Sequence, residues 1–455
     1  MTEHDVAGVG QTMPGRGSGS PGMSRRAWLI ALASSTGALA IASLLGSSLG
    51  FLAKSACRAG AWNSAYGEFH GHCYTDIYPL YYGEGLTNGQ VPYFGHHVEY
   101  PVLIGAAMQF AATVVRPISD PFTRGREFFD VTVVLLSLFA LAGVLATGYL
   151  AGRGRQWTAL LVALSPALIL SSFINWDLIV MGLTAVGMAA WAARRHVLAG
   201  LLLGLAIATK FYPLIFFGPL LLLCLRAGRM KAFWTTTASA AASWLAVNLP
   251  VMILAPAGWA TFYRLSETRG ADWGPIWYFL EYLHWPLLGT TSLTTLNLLS
   301  LGTFLLGCVG IAVLAMAAPR RPRLPQLFFL ILAVFLMTNK VWSPQYVIWL
   351  VPLLVLARPR IWSYLLWQAA EVCYFLAIWS YLLTEGSHPG GISPALYFAA
   401  LLARFLTVAL LCGLVVKDIL RPGTDVVRAC GEDDPAGGVL AGAPDVRVLS
   451  FGRAE

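Results

Sequence analysis

Acidic side chains set among tyrosines are the first chemically informative feature of this chain. Cys73-Tyr74-Thr75-Asp76-Ile77-Tyr78-Pro79, Gly83-Glu84-Gly85 and Glu99-Tyr100-Pro101 follow in close succession between two apolar runs. A carboxylate against apolar rings loses hydration, so its proton affinity rises and it can take a proton from a hydroxyl near neutral pH. Asp76 is the candidate general base, and Glu99 is a second acid in the same stretch. A loop aspartate alone is more often a cap or a surface charge, so the question is what converges on it.

Three further polar breaks supply candidates. Asn175-Trp176-Asp177 closes one apolar run and opens the next, where Asp177 serves as an N-cap, as a second acid of the site, or as both. Thr209-Lys210-Phe211-Tyr212-Pro213 leaves one lysine between two short apolar runs. An amine there takes a partner, either a phosphate or one of Asp76, Glu99 and Asp177, or else it snorkels to the interface. Asn339-Lys340-Val341-Trp342-Ser343-Pro344-Gln345 delivers Lys340, Trp342 and Gln345 to one turn, which also fits an interfacial aromatic turn. Tyr78, Trp176 and Trp342 offer rings on which a sugar can stack. Arg264, Arg269, Asp272 and Trp273 fit either an anionic or sugar-bearing ligand or a solvated loop face, while Glu371 and Arg404, inside apolar runs, read as a structural ion pair. No P-loop, dinucleotide fingerprint, zinc-protease motif or cysteine cluster occurs, so nucleotide and structural zinc sites are unsupported.

The elements that must position these residues are membrane helices. Of 455 residues, 57% are hydrophobic and only 11% charged, against about 25% charged in soluble domains. Apolar runs of about twenty residues, the length that spans a bilayer, recur along the chain. The net charge of +8 sits in short clusters at the ends of those runs, a topogenic pattern. One segment decides the topology, Pro101–Val115, which is apolar but short. If it crosses the membrane, the clusters Arg153/Arg155, Arg194/Arg195, Arg226/Arg229/Lys231, Arg320/Arg321/Arg323 and Arg358/Arg360 all fall outside, against the positive-inside rule. If it lies along the surface or re-enters, all become cytoplasmic.

The second arrangement predicts an all-α integral membrane bundle of about twelve transmembrane helices with a surface-lying helix in the first exterior loop. The spans fall near 27–52, 128–150, 156–172, 177–193, 197–209, 212–225, 232–254, 293–317, 324–338, 344–357, 361–383 and 393–416. Residues 1–24 and 418–455, polar and glycine-rich, are expected as disordered cytoplasmic tails around a membrane domain at 25–417. Its first exterior loop, 53–127, holds Cys57 and Cys73, which pair only if that loop meets an oxidising compartment and are otherwise two free thiols.

Four stretches carry a resemblance: Tyr74-Thr75-Asp76-Ile77 through Glu99-Tyr100-Pro101; Asn175-Trp176-Asp177-Leu178; Gly200-Leu201-Leu202-Leu203-Gly204 through Lys210-Phe211-Tyr212-Pro213; and Asn339-Lys340-Val341-Trp342-Ser343-Pro344-Gln345-Tyr346. In their order the chain resembles the GT-C class of polytopic glycosyltransferases, most closely the polyprenol-phosphate-mannose-dependent mannosyltransferases of glycosyltransferase family 87. The resemblance implies that Asp76 is the loop acid that deprotonates the acceptor and that Asp177 is the acid of the second exterior loop. Glu99 stands where relatives often carry a cation. A single aspartate in place of a paired motif implies no catalytic metal, and dependence on a divalent ion stays open. The expected activity is inverting transfer of a sugar, mannose or alternatively arabinose, from a polyprenyl-monophosphate donor to a lipid or glycan acceptor. The expected place is the extracytoplasmic face of the plasma membrane, with both termini cytoplasmic, no nucleic-acid partner, and no cofactor beyond the donor substrate. Lys210 and Lys340 are the groups expected to stabilise the departing phosphate. The rival reading is a transporter or flippase of a lipid-linked glycan.

Overall fold

The computed structural model describes residues 25–285 and 292–449, with side chains from residue 35 onwards. Among the described residues the regular elements are helices, apart from an isolated bridge between Pro92 and His96. Six helices are long and apolar enough to cross a membrane: Arg25–Leu52 through its Ser35–Leu52 portion, Pro121–Leu150, Met230–Leu254, Leu293–Ala317, Ile361–Glu385 and Pro394–Leu420. Their outward faces are apolar, as lipid requires: along Leu293–Ala317 the side chains of Leu298, Leu301, Leu305, Leu306 and Val309 are all exposed. Six shorter apolar helical segments lie among them: Val102–Val115, Asp177–Ala192, His196–Thr209, Tyr212–Arg226, Leu324–Thr338 and Pro344–Ala357. About twelve apolar segments are therefore present, of which six have spanning length.

Local chemistry sets several boundaries. The helix expected from residue 128 starts at Pro121, because the Asp120 carboxylate accepts from the Thr123 amide and Pro121 occupies the first turn. The span expected at 156–172 is instead broken into Gln156–Ala159, Leu160–Ala163 and Pro166–Ser171. Pro166 cannot donate into a continuing helix, and Ser165 caps the new start through the Leu168 amide. Val102–Val115 is a helix of 14 residues; at 1.5 Å per residue it is about 21 Å long, short of a hydrocarbon core of about 30 Å.

His196–Thr209 packs closely on Met230–Leu254. A Cβ on Gly200 would lie 2.2 Å from the Thr236 carbonyl oxygen, and one on Gly204 would lie 2.2 Å from that of Ala240. Only glycine permits this approach, the usual way membrane helices associate, and Ser243 Oγ adds a 2.8 Å bond to the Leu201 carbonyl.

The chain after Arg421 departs from the expected disordered tail. Residues 425–449 pack against the arginine-bearing ends of the helices. Asp425 pairs with Arg323 at 2.8 Å, Glu432 with Arg155 at 2.6 Å, and Asp445 with both Arg226 and Arg321 at 2.6 Å, while Gly437 accepts from the Trp191 indole. The segment lacks an apolar period, but its acids complement the same cations that mark the positive-inside pattern.

Candidate functional site

Helix ends build the site. Asp177 opens Asp177–Ala192, Lys210 ends His196–Thr209, and the turn 339–343 joins Leu324–Thr338 to the segment beginning at Pro344. The arginine clusters sit at the opposite ends of these helices, about 20 Å away by helix rise. Onto this end folds the 53–120 stretch, pinned by a disulfide between Cys57 and Cys73. It is also held by the Lys54 ammonium, which is buried and donates to the Tyr74 carbonyl at 2.7 Å. Thr75 Oγ1 donates to the Phe173 carbonyl and the Asp76 amide to that of Ile174, so the loop acid is tied to the Asn175-Trp176-Asp177 corner.

The result is a cavity of about 530 Å³ lined by Asp76, Glu99, Lys210, Lys340 and Gln345, with Asn175, Arg269, Asp272, Tyr346, Trp349 and Trp379 among its other walls. Those first five, out of nine site residues expected from sequence, share one chamber. The remaining four do not line it. Trp176 is buried behind the chamber with its ring edge-on to Tyr100. Asp177 is also buried behind the wall and reaches Lys210 Nζ at 2.8 Å. Two expected sugar platforms lie elsewhere: Trp342 is buried against the Arg404 guanidinium, and Tyr78 stacks on Trp62 at 4.1 Å in a second cavity. Trp342 turns inward because its ring shields an arginine, and Tyr78 because it faces the far side of the short helix Ile77–Gly83.

Asp76 accepts hydrogen bonds from the hydroxyls of Tyr74 at 2.6 Å and Tyr100 at 3.2 Å. Burial raises its carboxyl to about 6 despite those two donors, with nearby Glu99 pushing the same way. It is therefore a carboxylate poised to accept a proton near neutral pH. Burial also lowers Lys54, to about 7, against the opposing pull of Asp76.

The two lysines differ in kind. Lys210 is neutralised by Asp177 and ringed by Tyr100, Tyr346 and Trp349 at 5.4 to 5.6 Å. Lys340 donates to Asn297 Oδ1 at 2.6 Å and to the Glu267 main-chain carbonyl at 3.1 Å, both uncharged. Burial lowers its proton affinity against the more distant pull of the Glu267 carboxylate, and Arg269 adds to the lowering. Among the described residues no carboxylate is bonded to it, so its charge is available to an anion. The turn carrying it is clamped by Arg404, which donates to the Trp342 and Ser343 carbonyls, pairs with Glu371 at 2.9 Å and lies between the Trp342 and Tyr374 rings. Glu371 and Arg404 thus form the expected ion pair, and they hold the lysine turn. Sequence reasoning misses Tyr74 and Tyr100 as neighbours of the acid and the hold of Arg404 on the lysine turn; the tyrosines are visible in the aromatic loop, but nothing in their spacing says which would face the acid.

Residues 110–344, just over half of the chain, match the model of glycosyltransferase family 87. The chain belongs to glycosyltransferase family 87. It is accordingly a membrane glycosyltransferase. The matched stretch contains Asp177, Lys210 and Lys340, whereas Asp76 and Glu99 precede it. No match occurs among curated proteins. Among the described residues no group of three or more histidine, cysteine, aspartate or glutamate side chains is placed to hold a metal ion.

Proposed function

We propose that this family 87 glycosyltransferase moves a sugar, mannose in the first instance, from a polyprenyl monophosphate to a lipid or glycan acceptor, with inversion. The observation that carries this reading is that Asp76 and Lys340 line one chamber, a base and a cation without a bonded carboxylate in a single enclosed space. The acceptor hydroxyl attacks the anomeric carbon from the face opposite the phosphate and gives its proton to Asp76. The new C–O bond forms as the bond from the anomeric carbon to the phosphate oxygen breaks, and that oxygen keeps the electron pair. A single displacement inverts the anomeric carbon, and with a phosphate as leaving group it needs a base but no general acid, whereas a double displacement adds a carboxylate nucleophile. The negative charge gathering on the phosphate falls beside Lys340 and Arg269, whose preorganised charges favour the transition state. Lys210, already paired with Asp177, holds the floor of the chamber and orients Tyr100 instead of meeting the phosphate alone.

The chamber is assigned to the extracytoplasmic side of the plasma membrane. Two observations support that side: the arginine clusters gather at the far ends of the helices, and the loop bearing Asp76 carries the Cys57–Cys73 disulfide, a bond that persists in oxidising compartments. The test is direct. Membranes holding the protein are incubated with radiolabelled polyprenyl-phosphate mannose, and glycosidic product is sought. Product formation that Asp76→Asn abolishes supports the reading. Product formation that Asp76→Asn leaves unchanged removes the base, and movement of lipid-linked sugar across vesicles with no new glycosidic bond favours a transporter.

A further inference from the structure

The helix Leu293–Ala317 turns an apolar face outward, with Leu298, Leu301 and Leu305 exposed. Two polar side chains near its start, Asn297 and Ser300, are one turn apart and meet protein instead. Ser300 Oγ donates to the Thr338 carbonyl at 2.7 Å, at the end of Leu324–Thr338. Asn297, half-buried, meets the Lys340 ammonium. A helix that faces lipid therefore sends one polar group to a cation of the chamber.

The contact is a closed three-way junction. Lys340 Nζ donates to Asn297 Oδ1 at 2.6 Å and to the Glu267 carbonyl at 3.1 Å, and Asn297 Nδ2 donates to that same carbonyl at 3.2 Å. Both ends of the amide are used, so its oxygen is turned to the lysine and its nitrogen to the end of Pro256–Thr268. An ammonium has three N–H donors. Among the described residues two of them go to uncharged oxygens, which leaves the third for an anion in the chamber that Lys340 lines.

Lys210, in the same chamber, shows the alternative. Its Nζ meets the Asp177 carboxylate at 2.8 Å, and the pair is formally neutral. Each lysine is held by one short side chain of nearly the same shape, asparagine in one case and aspartate in the other, and the difference is a single charge. A carboxylate at position 297 would hold Lys340 as firmly but cancel its charge; the carboxamide holds it and leaves the charge whole. Transition-state stabilisation needs charge that is both fixed in place and not already spent. Glu267 is the acid closest by chain to this junction, yet it is exposed and meets the lysine through its main-chain carbonyl.

We propose that Asn297 is the positioning residue of Lys340: it fixes the ammonium at the chamber wall through an uncharged acceptor, so that the full positive charge meets the phosphate of a polyprenyl monophosphate. The inference rests on the reading of Lys340 as the group beside the departing phosphate, and it adds the residue that keeps the lysine fit for that role. Asn297 itself does not line the chamber and acts through the lysine.

The full-length protein in detergent micelles is titrated with farnesyl phosphate and, as the neutral control, farnesol. Binding is read from tryptophan fluorescence, since Trp349 and Trp379 stand in the chamber wall. The wild type is expected to prefer the phosphate. Asn297→Asp keeps the side-chain shape and adds a charge: its melting temperature is expected at or above that of the wild type, its affinity for farnesyl phosphate about tenfold lower, and its affinity for farnesol unchanged. Asn297→Ala removes the holder and should weaken farnesyl phosphate binding about fivefold, the effect of one lost hydrogen bond. In a Lys340→Met background that loss should vanish, because it passes through the lysine. Wild-type binding that ignores the phosphate, Asn297→Asp binding equal to wild type, or an Asn297→Ala loss that is as large without Lys340 overturns the proposal. An equal loss of farnesol binding also overturns it, as the mark of a merely structural role. Product formation from polyprenyl-phosphate mannose is scored separately. Product lost in Lys340→Met but kept in Asn297→Asp removes Asn297 and leaves the transfer reading, whereas a wild type that makes no product removes the transfer reading while the binding series still decides on Asn297.

Discussion

Lys210 Nζ lies 2.8 Å from Asp177 Oδ1, with the carboxylate fully buried and the lysine side chain only 12% exposed. Breaking such a pair leaves one charge without water and without a partner. Asp177→Asn or Lys210→Met alone is expected to destabilise the protein by about 3 kcal/mol. The double substitution should cost clearly less than the sum of the two. Thermal unfolding of the three variants in one detergent measures the cycle, and additive losses would show that the pair is not coupled.

That pair shows what a sequence can and cannot disclose about this chamber. The isolated lysine between two apolar runs demands a partner, and Asp177 is one of three acids that the sequence offers; only the fold selects it, because Thr209 and Asp177 end and begin neighbouring helices. The membrane architecture is legible from charge scarcity and from arginines at run ends, and the ion pair of Glu371 with Arg404 from their depth. Trp342 and Tyr78 do not line the chamber with Asp76, because composition shows a ring but not the direction it faces. The packed segment after Arg421 is invisible to periodicity, since its contacts are aspartate with arginine across long sequence separations.

The reaction should carry an acid limb set by Asp76. Its carboxyl stands at about 6, and only the ionised form can accept the acceptor proton. Transfer rate is therefore expected to be constant above that pH and to fall about tenfold per pH unit below it. Tyr74→Phe and Tyr100→Phe each remove a hydrogen bond that favours the ionised form, so each should move the limb to higher pH. A limb that stays in place in both variants would disconnect the tyrosines from the base. Asp76→Asn should lower turnover roughly 10²- to 10⁴-fold at every pH.

Lys340 differs from Lys210 in having uncharged hydrogen-bond partners, so its removal should be felt in the chemistry more than in stability. Lys340→Met is expected to lower kcat roughly 10²-fold, with partial recovery in Lys340→Arg. Arg404 does not line the chamber and is bonded to the turn that carries Lys340. Arg404→Lys keeps the charge beside Glu371 but cannot reach both the Trp342 and Ser343 carbonyls. Its expected signature is a raised KM for the donor together with a reduced kcat, while the pH limb of Asp76 is unmoved; a shifted limb would mean that Arg404 instead perturbs the base.

The segment after Arg421 makes the sharpest prediction about stability. Arg323 is 1% exposed and donates to Asp425 and to the Leu356 and Ala357 carbonyls, so one residue ties the start of Leu324–Thr338 to the end of Val347–Ala357. Asp425 is its carboxylate partner and is 2% exposed. Asp425→Ala leaves the guanidinium buried with carbonyl partners alone, which should cost about 3–5 kcal/mol. Asp445→Ala, whose carboxylate is 26% exposed and shared between Arg226 and Arg321, should cost less because water can replace it. Melting temperatures of the two variants decide the matter, with Asp425→Ala expected to be the lower. The reverse order would mean that the segment is held by its exposed end and not by its buried one.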